Sequence, residues 1–441
     1  MTTSTDAPPP DFRTAVLVWL RIGLLSFGGP AGQIALMHRV LVEERRWIDE
    51  TRFLHALNYC MLLPGPEAQQ LAVYVGWLLH GRRGGLVAGT LFILPGLLLM
   101  IAISALYACY GALPALQGAL FGLQAATLAV VVEAVLRVGR RALKSRTAYA
   151  LAAAAFVAIF AFGAPFPLII FAAAFIGVAR LWLRRPAGDD PESPTAAEAP
   201  ASRRPRPLRT LAVGLALWGV PIAALQLAAP ASVYQAEALF FSKMAVVTFG
   251  GAYAVLAYMA QQAVAHYHWL APREMIQGLA LAETTPGPLI LVLVYVGFLG
   301  ALRAPGGLPP LLGGVAGALV STWVTFVPCF LWIFLGAPYI ERLRGNRWLN
   351  AALGAITAAV VGVILNLSVW FALHVVFGTV TTWHGAGLSL PVPALASVDP
   401  AALVLGAAAA LAMLRFHIGL GWTLLGCALA GLALRLSGLH G

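Results

Sequence analysis

Apolar residues run through this chain in blocks far longer than a soluble helix needs. Between Arg83 and Arg137 the single charged residue is Glu133, and residues 147–179, 304–340 and 348–398 contain none. Each block can hold one or two helices crossing about 30 Å of hydrocarbon at about 20 residues apiece. Long stretches of Ala, Leu, Val and Gly replace the strict alternation that a transmembrane β-barrel requires. The pattern predicts an all-α polytopic membrane protein.

Two segments at the start of the chain do not fit ordinary spanning helices. Residues 53–63 give about 16 Å of helix at about 1.5 Å per residue before Pro64-Gly65-Pro66 breaks the hydrogen-bond ladder. Residues 67–80 then supply a second half-length arm. Arg45, Arg46 and Arg52 precede the unit and Arg82 and Arg83 follow it, so both ends belong on one face and the unit reads as a re-entrant hairpin. A second such hairpin is predicted from 11–27 and 31–44 around Gly28-Gly29-Pro30.

Sliding the chain along itself by 222 residues superposes Ser26-Phe27-Gly28-Gly29 on Thr248-Phe249-Gly250-Gly251, Trp47 on Trp269, and Pro64-Gly65-Pro66 on Pro286-Gly287-Pro288. After a one-residue gap, Val-Tyr-Val-Gly-Trp at 73–77 matches Val-Tyr-Val-Gly-Phe at 294–298. Further on, Pro95 aligns with Pro328 and Glu133 with Asn366. The chain is read as a tandem duplication, 12–183 and 234–435. A Pro- and Arg-rich linker at 184–208 is too poor in apolar residues to fold, and 209–229 is a connecting transmembrane helix.

Charge then orients the copies. In copy one the link at 109–114 is uncharged and the next carries Arg137, Arg140, Arg141, Lys144 and Arg146; in copy two the basic link, 341–347, comes first and the long segment from His374 has no Lys or Arg. If Lys and Arg mark the cytoplasmic side, equivalent loops lie on opposite faces, so the repeats are inverted and the Arg-flanked linker is cytoplasmic.

Composition narrows the classes further. The start is acidic and proline-rich, unlike a secretory signal, so the first apolar run is expected to stay in the mature protein. The four cysteines lie in apolar runs without metal-ligand or paired spacing, and no metal or cofactor is expected. The net charge of +11 comes mostly from arginines flanking apolar runs, which are orientation signals and not a nucleic-acid footprint. Neither a nucleophile with its base nor a metal set marks an enzyme. A channel remains the competing class.

Non-helical backbone at membrane depth is tolerated only where protein buries it or it lines a cavity. Four breaks, two per copy, are therefore expected to meet near the midplane, where free N–H groups and helix dipoles favour an anion. The predicted substrate site comprises Gly28, Gly29, Gly250, Gly251, Pro64, Gly65, Pro66, Pro286, Gly287 and Pro288. It also includes Arg21 and Lys243, which occupy the same repeat position and would be costly at mid-bilayer unless functional or paired; snorkelling to the interface is the competing reading. Ser26 and Thr248 are candidate donors or back-bonded to their own helices. Glu67, Gln69 and Gln70 follow the first Pro-Gly-Pro, where Glu67 could instead serve as a helix cap. Glu67, Glu133 and Glu283 are candidate proton carriers; Glu283 has Met61 as its counterpart.

The stretches FGGPAGQIALMHR, NYCMLLPGPEAQQLAVYVGW, TFGGAYAVL and ETTPGPLILVLVYVGF resemble the chromate ion transporter family in its two-domain form, over nearly the whole chain. The resemblance implies export of chromate across a bacterial inner membrane, conferring chromate resistance, with sulfate as the chemical mimic and alternative substrate. The partners implied are that oxyanion, the lipid bilayer and a coupling proton or counter-anion, with a homodimer left open. Copy two departs from copy one in having Leu289 to Val292 where copy one has Glu-Ala-Gln-Gln, so the halves are expected to contribute unequally.

Overall fold

A computed structural model describes residues 10–183, 207–249, 252–337, 346–385 and 387–438. The first set of helices is α1 Phe12–Leu25, α2 Gly29–His38 prolonged by a π-helical turn at Arg39–Glu44, α3 Glu50–Cys60, α4 Glu67–Tyr110, α5 Pro114–Ala142, α6 Arg146–Phe162 and α7 Phe166–Leu183. Helix α8, Pro207–Ala228, stands between the sets and has no buried residue. The second set is α9 Val233–Val247, α10 Ala252–Gln261 with a π turn at Gln262–His266, α11 Pro272–Thr284, α12 Val292–Arg303, α13 Pro310–Gly336, α14 Arg347–Val376, α15 Pro400–Leu414 and α16 Leu420–Leu436.

Among the described residues, α4, α5, α7, α8, α13 and α14 are long and apolar enough to cross a membrane. The protein is an all-α, multi-pass membrane protein. Its exterior carries many exposed Leu, Phe, Val and Trp side chains, a surface that lipid covers at no desolvation cost.

The 222-residue register recurs in backbone detail. Both π turns sit at corresponding positions. The N–H of Trp47 donates to Leu41 O and that of Trp269 to Ala263 O, each at 2.8 Å. The residue before each tryptophan adopts a left-handed conformation, Arg46 at φ 52° and His268 at φ 53°. Each pair differs by 222 positions, so the same local strain is built twice.

The interruptions fall at the glycines and prolines. Helix α1 ends before Ser26 and α2 begins at Gly29; α3 ends at Cys60 and α4 begins after Pro66. Within α4 a kink at His80 and Gly81 (φ 63°) folds the first arm back on the second. Gly76 and Gly84 then approach so closely that a Cβ on Gly84 would lie 2.2 Å from Gly76 O. Gly297 and Gly317 repeat the contact in the second set, at 2.4 Å.

One element has no counterpart in the sequence reading. The uncharged segment after α14 forms an antiparallel ribbon, β1 Val380–Gly385 against β2 Leu388–Pro393. Val, Thr and Trp on one side of a Gly-containing turn, and alternating Leu on the other, suit a pleated pair. The predicted linker falls at 184–206 outside the described residues, as do Gly250 and Gly251 and most of the basic link at 341–345.

Candidate functional site at the helix breaks

The breaks of each half close on those of the other. The N–H of Gly65 donates to Thr248 O at 2.9 Å, and the N–H of Gly287 donates to Ser26 O at 2.9 Å. Each Pro-Gly-Pro thus caps the unwound end of the opposite half's first helix, and the two bonds are related by the repeat. Gly65 and Gly287 have φ of 128° and 94°, conformations that side chains rarely tolerate. The Gln33 amide adds a bond to Gly287 O at 2.6 Å.

Between the breaks lies a space bounded by Pro30, Gln33, Pro66, Glu67, Ala68, Ala252, Pro288 and Leu289, with a volume of about 10 Å³. Three of the interruptions contribute a proline to its wall, Pro30, Pro66 and Pro288, and Ala252 stands at the repeat position of Pro30. Around this junction, buried polar atoms lack partners among the described residues: both amide atoms of Gln69 and the Oε1 atoms of Gln33 and Gln70. Gln70 Nε2 donates to Pro64 O at 2.7 Å. An unpaired buried amide costs about 1–3 kcal/mol, so several near one junction mark a place where a polar guest would be stabilising.

Helix α5 brings charge to the same region. Glu133, Arg137 and Arg141 are spaced four apart and form one stripe. Arg137 pairs with Glu133, and its charge reaches Tyr253 and Glu283. The Tyr253 hydroxyl donates to Glu283 Oε1 at 3.0 Å, and Arg141 acts electrostatically on Glu67. The sequence reading missed Gln33, Tyr253, Arg137 and Arg141 as site residues. The four-residue spacing of the α5 stripe was visible, but the arginines were absorbed into the basic link that sets topology.

A family profile described as "Chromate transporter" matches residues 13–178 and 236–432. The chain belongs to the chromate transporter family. It is 34% identical over 368 residues to a "Chromate transport protein" of Pseudomonas aeruginosa, covering 82% of each chain. It is 28% identical over 358 residues to one of Cupriavidus metallidurans, covering 81% of this chain and 82% of that one. An uncharacterised transporter of Methanocaldococcus jannaschii is 26% identical over 359 residues, 81% and 83% of the two chains. No solved structure matches. The profile's two matched regions coincide with the two sets of helices, so the family's unit is the one that supplies a pair of breaks.

The remaining expected site residues are placed as follows. Ser26 and Thr248 are buried, and their hydroxyls donate to the carbonyls of Ile22 and Met244 in their own helices. Each hydroxyl proton is thereby used, and these residues meet the opposite half through their backbone carbonyls. Arg21 is outward-facing, its side chain 54% exposed, with Nη1 3.8 Å from Glu44 Oε2. Lys243 is also exposed, with its charge acting on Tyr267. The expectation that both cations lie buried between the breaks is therefore corrected: Val18, Trp19 and Ile22 take the core face of α1, and Phe241, Met244 and Ala245 that of α9, leaving the cations outside. Gly28 opens instead onto a larger, mainly apolar cavity of about 630 Å³, lined also by Phe27, Glu283, Thr284 and residues of α5 and α16.

Proposed function

We propose that the protein is a secondary carrier that exports chromate from the cytoplasm across a bacterial cytoplasmic membrane and so confers resistance to it. Family membership and relatives named chromate transport proteins support a chromate transporter; export, resistance and mechanism are our reading. Chromate is a tetrahedral dianion that needs several donors and little opposing charge. The junction offers the unpaired Gln69 amide N–H groups, N–H groups of the broken backbone, and the Arg137 and Arg141 charges from α5, while Gln33 holds the break itself through its bond to Gly287 O. Arg21 and Lys243, one per half, would draw the anion inward.

The reciprocal bonds from Gly65 to Thr248 and from Gly287 to Ser26 carry the reading. They join the broken ends of one half to those of the other, within a wider interface in which α5 packs on α14, α15 and α16 and α4 on α12 and α13, and a shift of these broken ends would expose the junction alternately to each face. A volume of about 10 Å³ accommodates about one water, so the arrangement seen is closed, and the halves must part to admit an oxyanion. Glu67, Glu133 and Glu283 remain the sequence-derived candidates for coupling, but Glu133 and Glu283 already have partners in Arg137 and Tyr253.

Purified protein in vesicles should take up radiolabelled chromate saturably, with sulfate competing. Conductance far above carrier rates would instead establish a channel, and sulfate uptake without chromate uptake would change the substrate. Inversion is tested separately: cysteines placed at Gly111 and Gly345 should react with impermeant reagents from opposite faces, and labelling from one face would refute it.

A further inference from the structure

The carboxyl of Glu237 sits in the wall between α9, α12 and α13. It is fully buried, and neither oxygen has a hydrogen-bond partner among the described residues. Two glycines make room for it: a Cβ on Gly300 would lie 2.9 Å from Glu237 Oε1, and one on Gly317 2.9 Å from Oε2, with Trp269 closing the niche. The corresponding residues of the first half are Ala15 in place of Glu237 and Leu79 in place of Gly300. One half thus fills the gap with leucine, and the other empties it to hold an acid.

Among the described residues, the surroundings supply no counter-charge. On α9, Tyr234 is the nearest titratable group, and its hydroxyl donates to Pro305 O; Lys243, the helix's other charge, is exposed. Arg303 of α12 is turned to Trp269 O and Glu274. Helix α13 has no charged residue, and Arg209, the only charge on α8, lies at the end remote from the Gln226–Gln235 contact with α9. An unpaired carboxylate in such a place costs several kcal/mol, which protonation removes.

We infer that Glu237 is the proton-binding site that couples the closed arrangement to the proton gradient, an inference that rests on the carrier reading above. The closed packing of α9 on α12 and α13 requires the neutral acid. When these helices part and water reaches the niche, a carboxyl O–H bond breaks, the proton leaves to water and the carboxylate is hydrated; closure requires a proton to be taken up again. No oxidation is involved.

The test uses vesicles of the full chain in sodium-free buffer with membrane potential clamped at zero. A one-unit pH gradient should drive chromate accumulation up to about tenfold per coupled proton in one polarity. Glu237→Gln should abolish that accumulation while keeping chromate-for-chromate exchange. Retained gradient-driven accumulation in the variant, its absence in the wild type despite exchange, or a requirement for sodium would overturn the proposal. Failure of wild-type exchange would refute the carrier reading itself. Should the variant misfold, wild-type protein treated with dicyclohexylcarbodiimide should carry the label at Glu237 by mass spectrometry and lose gradient drive with it. Full drive with Glu237 labelled, or drive lost with Glu237 unlabelled, would overturn the assignment.

Discussion

Replacing Gly65 by alanine attacks one of the two reciprocal bonds that join the broken ends of the halves. At φ 128° a Cβ is strained wherever it points, at about 1–3 kcal/mol. The added carbon would also lie 2.7 Å from Gln70 Nε2 and 2.8 Å from Cys329 Sγ, overpacking that costs about another 1–3 kcal/mol. Together about 2–6 kcal/mol bears on the segment whose N–H reaches Thr248. Gly28→Ala separates the terms, since φ is 87° but nothing lies within 4 Å of a Cβ there; it should show the strain alone. Gly219→Ala, on the outer helix α8 with open space around it, should be neutral. The assay is chromate uptake per inserted protein together with the thermal midpoint in detergent. Gly65→Ala is expected to lose transport and a large part of its stability, with Gly28→Ala intermediate. Wild-type uptake and an unchanged midpoint in Gly65→Ala would refute the reasoning.

Arg137→Gln and Arg141→Gln should each lower chromate uptake by about tenfold or more, equivalent to about 1.4 kcal/mol. Arg21→Gln should raise KM chiefly at low salt, because an exposed pair is worth about 0–1 kcal/mol; a collapse of maximal rate in Arg21→Gln with Arg137→Gln unaffected would reverse the assignment. His38 bonds to Glu50 and Glu43, and the Glu50 hydrogen bond, outweighing burial and aided by attraction to both carboxylates, raises its pKa above 6.5. Its contribution to stability is therefore fully present below about pH 6.5 and lost as pH rises through the higher folded value. Thermal midpoints across that window should fall more steeply in wild type than in His38→Gln, and parallel curves would show the contact contributes nothing.

The breaks were legible because Gly-Gly and Pro-Gly-Pro clusters in apolar runs interrupt a helix, whereas the lone Pro95, Pro221 and Pro328 stay inside α4, α8 and α13, and the 222-residue register told which break corresponds to which. That register could not reveal the crossing pattern, in which Gly65 meets Thr248 and Gly287 meets Ser26, since pairing between halves is decided by tertiary packing. Arg21 and Lys243 were read as buried from symmetry, but a single position cannot say which side of a short helix the core will take. The same limit hid half-buried Arg137, whose neighbours Arg140, Arg141 and Lys144 read as a surface signal; Arg141 is exposed, and one turn beyond Arg137 on α5 its charge acts on Glu67. Glu237 was visible as an acid in an apolar run, whereas its niche depends on Gly300 and Gly317, distant in sequence and unremarkable by composition.

The most direct test of the central claim is to locate the anion. Crystals of the protein soaked in chromate, measured at the chromium absorption edge, should give an anomalous peak in the space walled by Pro30, Pro66, Ala252 and Pro288, opened from its closed volume, with the Gln69 amide within hydrogen-bonding distance. A peak beside Arg21 and Glu44, or in the apolar cavity next to α16 with the junction empty, would contradict the account.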